Sequence, residues 1–89
     1  YRPATTHALQ ATLDADGNPL AWLQRIVSQP LLPGAKASDE KIDRTVHEGA
    51  SDLAYAVPNL RVEAHLTEPG VPVLWWRSVG HTHTAFAVE

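Results

Sequence analysis

The residues most able to do chemistry are the histidines near the end of the chain. His81-Thr82-His83, with His65 and His7, offers imidazole donors of the kind that hold zinc or iron. On a strand, a spacing of two would place both rings on one face. No Asp or Glu stands within five residues before His81 or after His83 to complete a carboxylate triad, and the chain has no cysteine. The expectation is therefore no metal site, and histidines with ordinary polar partners. A serine hydrolase would need a strained glycine elbow around its nucleophile. Ser78 lacks one, because Trp76 stands where the first glycine belongs. Asp14 and Asp16 sit in a turn-forming cluster, where carboxylates bond their own backbone. No catalytic residue is expected among these 89 residues.

Two constellations remain. Trp75-Trp76 on a strand would aim one indole at each face, and packing of both is the simpler reading than a stacking surface for a flat ligand. Arg77-Ser78-Val79-Gly80-His81-Thr82-His83-Thr84 reads as a strand end, a tight turn and a helix start. A helix N-terminus presents unpaired N–H groups and positive potential, and Arg77 adds a forked cationic donor. The turn is thus a candidate anion cradle.

The elements that position these residues follow from hydrophobic spacing. Leu9, Ala11 and Leu13 alternate with Gln10 and Thr12, so residues 6–13 read as a half-buried strand. Asp14-Ala15-Asp16-Gly17-Asn18-Pro19 is a turn, and residues 20–28 form a second strand that closes an antiparallel hairpin. That strand carries apolar residues at both parities, which predicts cover on both faces. Two prolines and a glycine interrupt residues 29–36. Ser38-Asp39-Glu40 would cap a short helix reaching about Val46, and 30–52 as a whole reads as a variable loop or short helix. Leu60, Val62, Ala64 and Leu66 alternate with Arg61, Glu63 and His65 in a third strand. Val71–Arg77 would be a fourth, with Pro72 at its start. Thr82 or Thr84 would cap a helix starting near Ala85. The expected fold is α+β, a small, mostly antiparallel sheet of three to four strands with one or two short helices.

Composition narrows the classes of function. Seven Lys and Arg against ten Asp and Glu give a net charge of −3 without a basic stripe, which argues against nucleic acid as a partner. No apolar run approaches the roughly 20 residues that cross a bilayer. The chain has no methionine, opens on Tyr1-Arg2-Pro3 and stops at Ala87-Val88-Glu89 just inside a helix. Residues 1–89 are therefore expected to be a single fragment of a longer polypeptide. Its uncovered faces and strand edges predict self-association as a two-fold dimer.

Three blocks resemble a known family: Tyr1-Arg2-Pro3-Ala4-Thr5-Thr6-His7, the run from Glu48-Gly49-Ala50-Ser51-Asp52 to Asn59-Leu60-Arg61-Val62-Glu63, and Trp75-Trp76-Arg77-Ser78-Val79-Gly80-His81 through Phe86-Ala87-Val88-Glu89. They look like the molybdopterin-binding subunits of isoquinoline 1-oxidoreductase type, within the xanthine dehydrogenase and aldehyde oxidase group of molybdenum hydroxylases. The resemblance implies an oxidoreductase that hydroxylates N-heterocycles or oxidises aldehydes, with water as the oxygen source. It implies a molybdenum pyranopterin cofactor in the intact enzyme and none in the fragment. The implied partners are the rest of the large subunit, a small [2Fe–2S] subunit and a small-molecule substrate. In that group the segment Phe-Arg-Gly-Phe-Gly-Gly-Pro-Gln leads into a helix beside the molybdenum. Arg77 falls on its arginine, Val79 on its second phenylalanine and Gly80 on the next glycine, so Arg77, Ser78, Val79 and Gly80 become the implied cofactor-binding residues. Val79 departs from the aromatic, and His81, Thr82 and His83 replace Gly-Pro-Gln. The group's catalytic glutamate lies outside these residues. Relatives in this branch often carry a twin-arginine export signal, which implies the bacterial periplasm ahead of the cytoplasm. The rival reading is a stand-alone, small β-rich ligand- or protein-binding domain using the Trp75-Trp76 segment.

Overall fold

A computed structural model describes residues 1–32 and 42–89. Strands β1 (Thr5–Leu13), β2 (Pro19–Ser28) and β3 (Asn59–Leu66) form one sheet in the order β1-β2-β3, and a helix, α1 (His81–Val88), follows. The fold is a small α+β unit.

The hairpin forms because its turn is chemically specified. Asp14 Oδ1 accepts the N–H groups of Asp16 and Asn18, each at 2.9 Å, and Gly17 takes φ 83°, a conformation costly for residues with a Cβ. β1 and β2 then pair antiparallel from Thr5↔Ser28 to Thr12↔Ala21.

β3 lies along the other edge of β2 in parallel register, Ala21↔Asn59 to Ser28↔Leu66. The sheet is therefore mixed, with one antiparallel and one parallel pairing, rather than mostly antiparallel. Alternation specifies which face a strand buries but not which way the strand runs. The connection between Ser28 and Asn59 is long enough for the crossover that parallel neighbours require.

Residues 46–50 of that connection pack against one face of the sheet. Ile26, Val46 and Ala50 are fully buried together, with Val62, Ala64 and Leu66 packed around them. Burying side chains such as Ile26 and Val46 contributes ~1.5–3 kcal/mol each. The opposite face carries Arg25, Arg61 and Glu63, with Arg25 Nε 2.6 Å and Arg61 Nε 2.9 Å from the Glu63 carboxylate. These guanidinium contacts, that of Arg25 foremost, hold Glu63 below the usual glutamate range. Arg25 and Val27 are exposed there, so β2 is covered on one face only, not on both.

Two further expectations change. Of the helix expected from Ser38 to Val46, residues 38–41 lie outside the described residues. The remainder is a 3₁₀ turn, Arg44–Val46, with Asp43 as its cap. The buried Asp43 carboxylate accepts N–H groups from Leu31 (2.7 Å), Leu32 (2.9 Å) and Thr45 (2.9 Å). Burial raises its pKa, and the N–H donors of Leu32, Thr45 and Leu31 outweigh that and keep it low. Residues 71–77 form no strand. The segment runs beside the N-terminus, where Leu74 N–H donates to the Tyr1 carbonyl at 3.3 Å, and proline at 72 removes a ladder donor.

Candidate functional site

The turn before α1 is the most strained backbone among the described residues. Ser78 has φ 70° and Val79 φ 44°, the only non-glycine residues there with positive φ. For β-branched Val79 this is a true outlier, and such strain concentrates at functional sites. The turn closes through Val79 N–H to the Trp76 carbonyl (3.0 Å) and His81 N–H to the Ser78 carbonyl (2.9 Å).

A neighbouring segment enforces this conformation. Gly80 is buried with ordinary φ −69°, yet a Cβ on it would meet the Thr45 carbonyl oxygen at 1.8 Å. Only glycine admits that approach. Its N–H donates to Glu48 Oε1 at 2.6 Å, and the same oxygen lies 3.6 Å from His81 Nδ1. Thr84 is fully buried, and its hydroxyl meets the Glu48 and Gly80 carbonyl oxygens at 2.7 and 3.1 Å.

These contacts correct the expected helix start. α1 begins at His81, four residues before Ala85, and neither threonine caps it. Thr82 Oγ1 donates to the Arg77 carbonyl (3.0 Å), and Thr84 is used as above. The anion at the helix N-terminus is the chain's own Glu48. Of the four implied site residues, Arg77 and Ser78 are exposed, Val79 is half-buried and Gly80 has its N–H engaged. The Arg77 guanidinium makes no ion pair among the described residues.

Val79 also lines a groove of about 620 Å³ between the start of β1, residues 74–79 and α1. Leu9, Leu74, Trp76 and Phe86 supply apolar wall, and His7 and His83 lie at its inner side. Arg2 sits at its rim, its guanidinium 4.8 Å from the centre of the Trp76 ring. Trp75 and Trp76 are each 52% exposed, so neither indole is packed away. Trp75 Nε1 donates to the Leu31 carbonyl at 2.6 Å.

The two histidines belong to a hydrogen-bond chain with one direction. Trp22 Nε1–H donates to Gln24 Oε1 (3.2 Å), which turns the Gln24 amide toward His7 Nδ1 (3.0 Å). His7 must then carry its proton on Nε2 and donate to His83 Nδ1 at 3.1 Å. His83 in turn carries its proton on Nε2, a buried atom that completes no hydrogen bond, although the Thr45 carbonyl is near. Burial lowers the pKa of His7. Burial and then the charge of His7 lower that of His83, against smaller opposing effects of the Thr45 carbonyl and Glu48. His65 projects on the opposite face of the sheet, and His81 turns to Glu48.

Sequence reasoning missed Glu48 and Gln24 as parts of this region, and gave Thr84 a capping role where it instead bonds the Glu48 and Gly80 carbonyls. Gly49 and Gly80 were the available signal, since both mark places where α1 and the crossover nearly touch. Compared with family models, with curated proteins and with solved structures, the chain matches none.

Proposed function

We propose that this chain is part of the large subunit of a molybdenum hydroxylase, and that residues 77–80 form a turn packed against its pyranopterin cofactor. One observation carries the reading: non-glycine residues are held at positive φ in the very turn that the resemblance assigns to the cofactor. The residues fit such a group. Arg77 offers an unpaired guanidinium to phosphate or pterin oxygens, Ser78 adds an exposed hydroxyl and Val79 gives an apolar edge. Gly80 serves by close approach rather than by donation, because its N–H is held by Glu48. When bound, the cofactor supplies two-electron oxidation of an N-heterocycle or aldehyde, with oxygen from water. In this reading the chain is inactive alone, and its partners are the rest of the large subunit and a [2Fe–2S] subunit in the bacterial periplasm or cytoplasm. The bare face of β2 suits contact with those partners or, in isolation, with a second copy.

The test is the metal content of the intact polypeptide, and its turnover of quinolines and aldehydes, with and without Arg77→Ala. Near-stoichiometric molybdenum that falls with Arg77→Ala is expected. A folded polypeptide without molybdenum, or an Arg77→Ala variant with full occupancy and turnover, overturns the reading.

A second reading is favoured by the groove itself. Its size and apolar wall are those of a small-molecule site, for which ~300–1,000 Å³ is typical. On that reading the chain is a stand-alone, small β-rich ligand-binding domain.

A further inference from the structure

We propose that the groove beside α1 binds an aromatic monocarboxylate, with the ring against Trp76 and the carboxylate on Arg2. This rests on the ligand-binding reading and names the class of ligand. The walls supply the first half of the argument. Leu74 is 70%, Trp76 52% and Phe86 91% exposed around one concavity, and none of its lining residues is acidic. Large apolar side chains left exposed together mark a binding surface rather than ordinary surface scatter.

The polar atoms supply the second half. His7 uses both ring nitrogens, on Gln24 and His83, and His83 Nδ1 is used by His7. The Thr5 hydroxyl is paired with Ser28 at 2.9 Å, and that of Thr82 with the Arg77 carbonyl. The inner side of the groove thus presents ring edges and methyl groups: these hydrogen-bonding atoms are committed, and His83 Nε2, which completes no hydrogen bond, is buried. Recognition of polarity falls to Arg2, whose guanidinium lies over Trp76 and makes no ion pair among the described residues. A planar fork of donors matches a carboxylate bidentately. A ring continuing from that carboxylate would extend over the apolar wall. A phosphate ester fits less well, since its second charge would find no second cation lining the groove.

The experiment titrates the 89-residue chain with 2-naphthoate and with the uncharged 2-naphthamide, following the Trp76 indole and Phe86 signals by NMR. Naphthoate is expected to bind at least ~10-fold more tightly than the amide, a difference of ~1.4 kcal/mol. Arg2→Gln should abolish that preference, bringing naphthoate binding to the level of the amide. Equal binding of acid and amide, or naphthoate binding unaffected by Arg2→Gln, overturns the carboxylate assignment while leaving a ligand groove in place. No saturable binding of either probe at millimolar concentration overturns both the assignment and the ligand-binding reading.

Discussion

Gly80→Ala separates two reasons for having glycine that are usually confounded. At φ −69° an alanine is conformationally welcome, so the backbone itself raises no objection. The new methyl would lie 1.8 Å from the Thr45 carbonyl oxygen and 2.7 Å from its carbon, and both are backbone atoms that cannot rotate aside. The crossover and α1 must separate. Overpacking of this kind costs ~1–3 kcal/mol. Separation also weakens the Gly80 N–H to Glu48 bond, and a hydrogen bond to a charged group contributes ~1.5–3 kcal/mol. Because the two losses share one displacement they are not additive, and a total of about 2–4 kcal/mol is expected. Gly17→Ala is the matched control, with φ 83° and nothing within 4 Å of the added methyl. It should cost only ~1–2 kcal/mol, from backbone conformation alone. Urea unfolding followed by tryptophan fluorescence measures both, and at a slope of ~1–1.5 kcal/mol/M the Gly80→Ala midpoint falls by ~1.3–4 M. If Gly80→Ala is as stable as the parent, or less damaged than Gly17→Ala, the clamp between residues 45–50 and α1 does not exist as described.

Three further outcomes are expected. Asp43→Asn leaves one acceptor oxygen for three converging N–H groups and should lower stability by ~1–3 kcal/mol in the same urea assay, with Asp43→Glu failing to restore it. His7 and His83 are both held below their ordinary value of ~6.5, so the unfolded chain binds protons more readily. Their contribution to stability is complete above pH ~6.5 and declines as the pH falls through that value towards the lowered folded ones; a flat urea midpoint from pH 7.5 to 5.5 would contradict this, and His83→Gln should flatten the decline. Ser78→Gly removes the penalty of a left-handed, exposed side chain and should raise stability by up to ~1 kcal/mol, which thermal unfolding of the two proteins would reveal.

The elements legible in the sequence are those whose cause is local. The Asp14–Asn18 turn contains its own acceptors and donors, so the hairpin needed nothing from elsewhere. The β3 alternation likewise identified the buried face, with Val62, Ala64 and Leu66 at the core. What escaped depends on residues far apart in the chain. The start of α1 is set by Glu48 from the crossover, and no inspection of Thr82 or Thr84 could show it. The histidine chain joins positions 7, 24 and 83, where a buried glutamine among apolar neighbours was the single hint. Residues 71–77 have strand-like composition, but they touch the N-terminal segment and the residues just after β2 through isolated hydrogen bonds rather than a ladder. The Arg77–Gly80 turn was legible as a candidate, and its strain was not, because valine at 79 gives no sign of positive φ.

The mixed pairing of the sheet also divides folding in time. β1 and β2 are sequence neighbours, and a hairpin of this kind forms in ~1–10 μs. β3 arrives only after the chain between Ser28 and Asn59 has been ordered enough to bring it alongside, and that loop-closure entropy is met before any β2–β3 contact compensates for it. During synthesis the hairpin is complete while residues 59–66 are still being made. For that interval β2 exposes a row of unpaired N–H and C=O groups flanked by Leu23, Ile26 and Val27. The parallel partner thus doubles as a late-arriving cover for an aggregation-prone edge, and anything that slows the crossover lengthens the time that edge stays open.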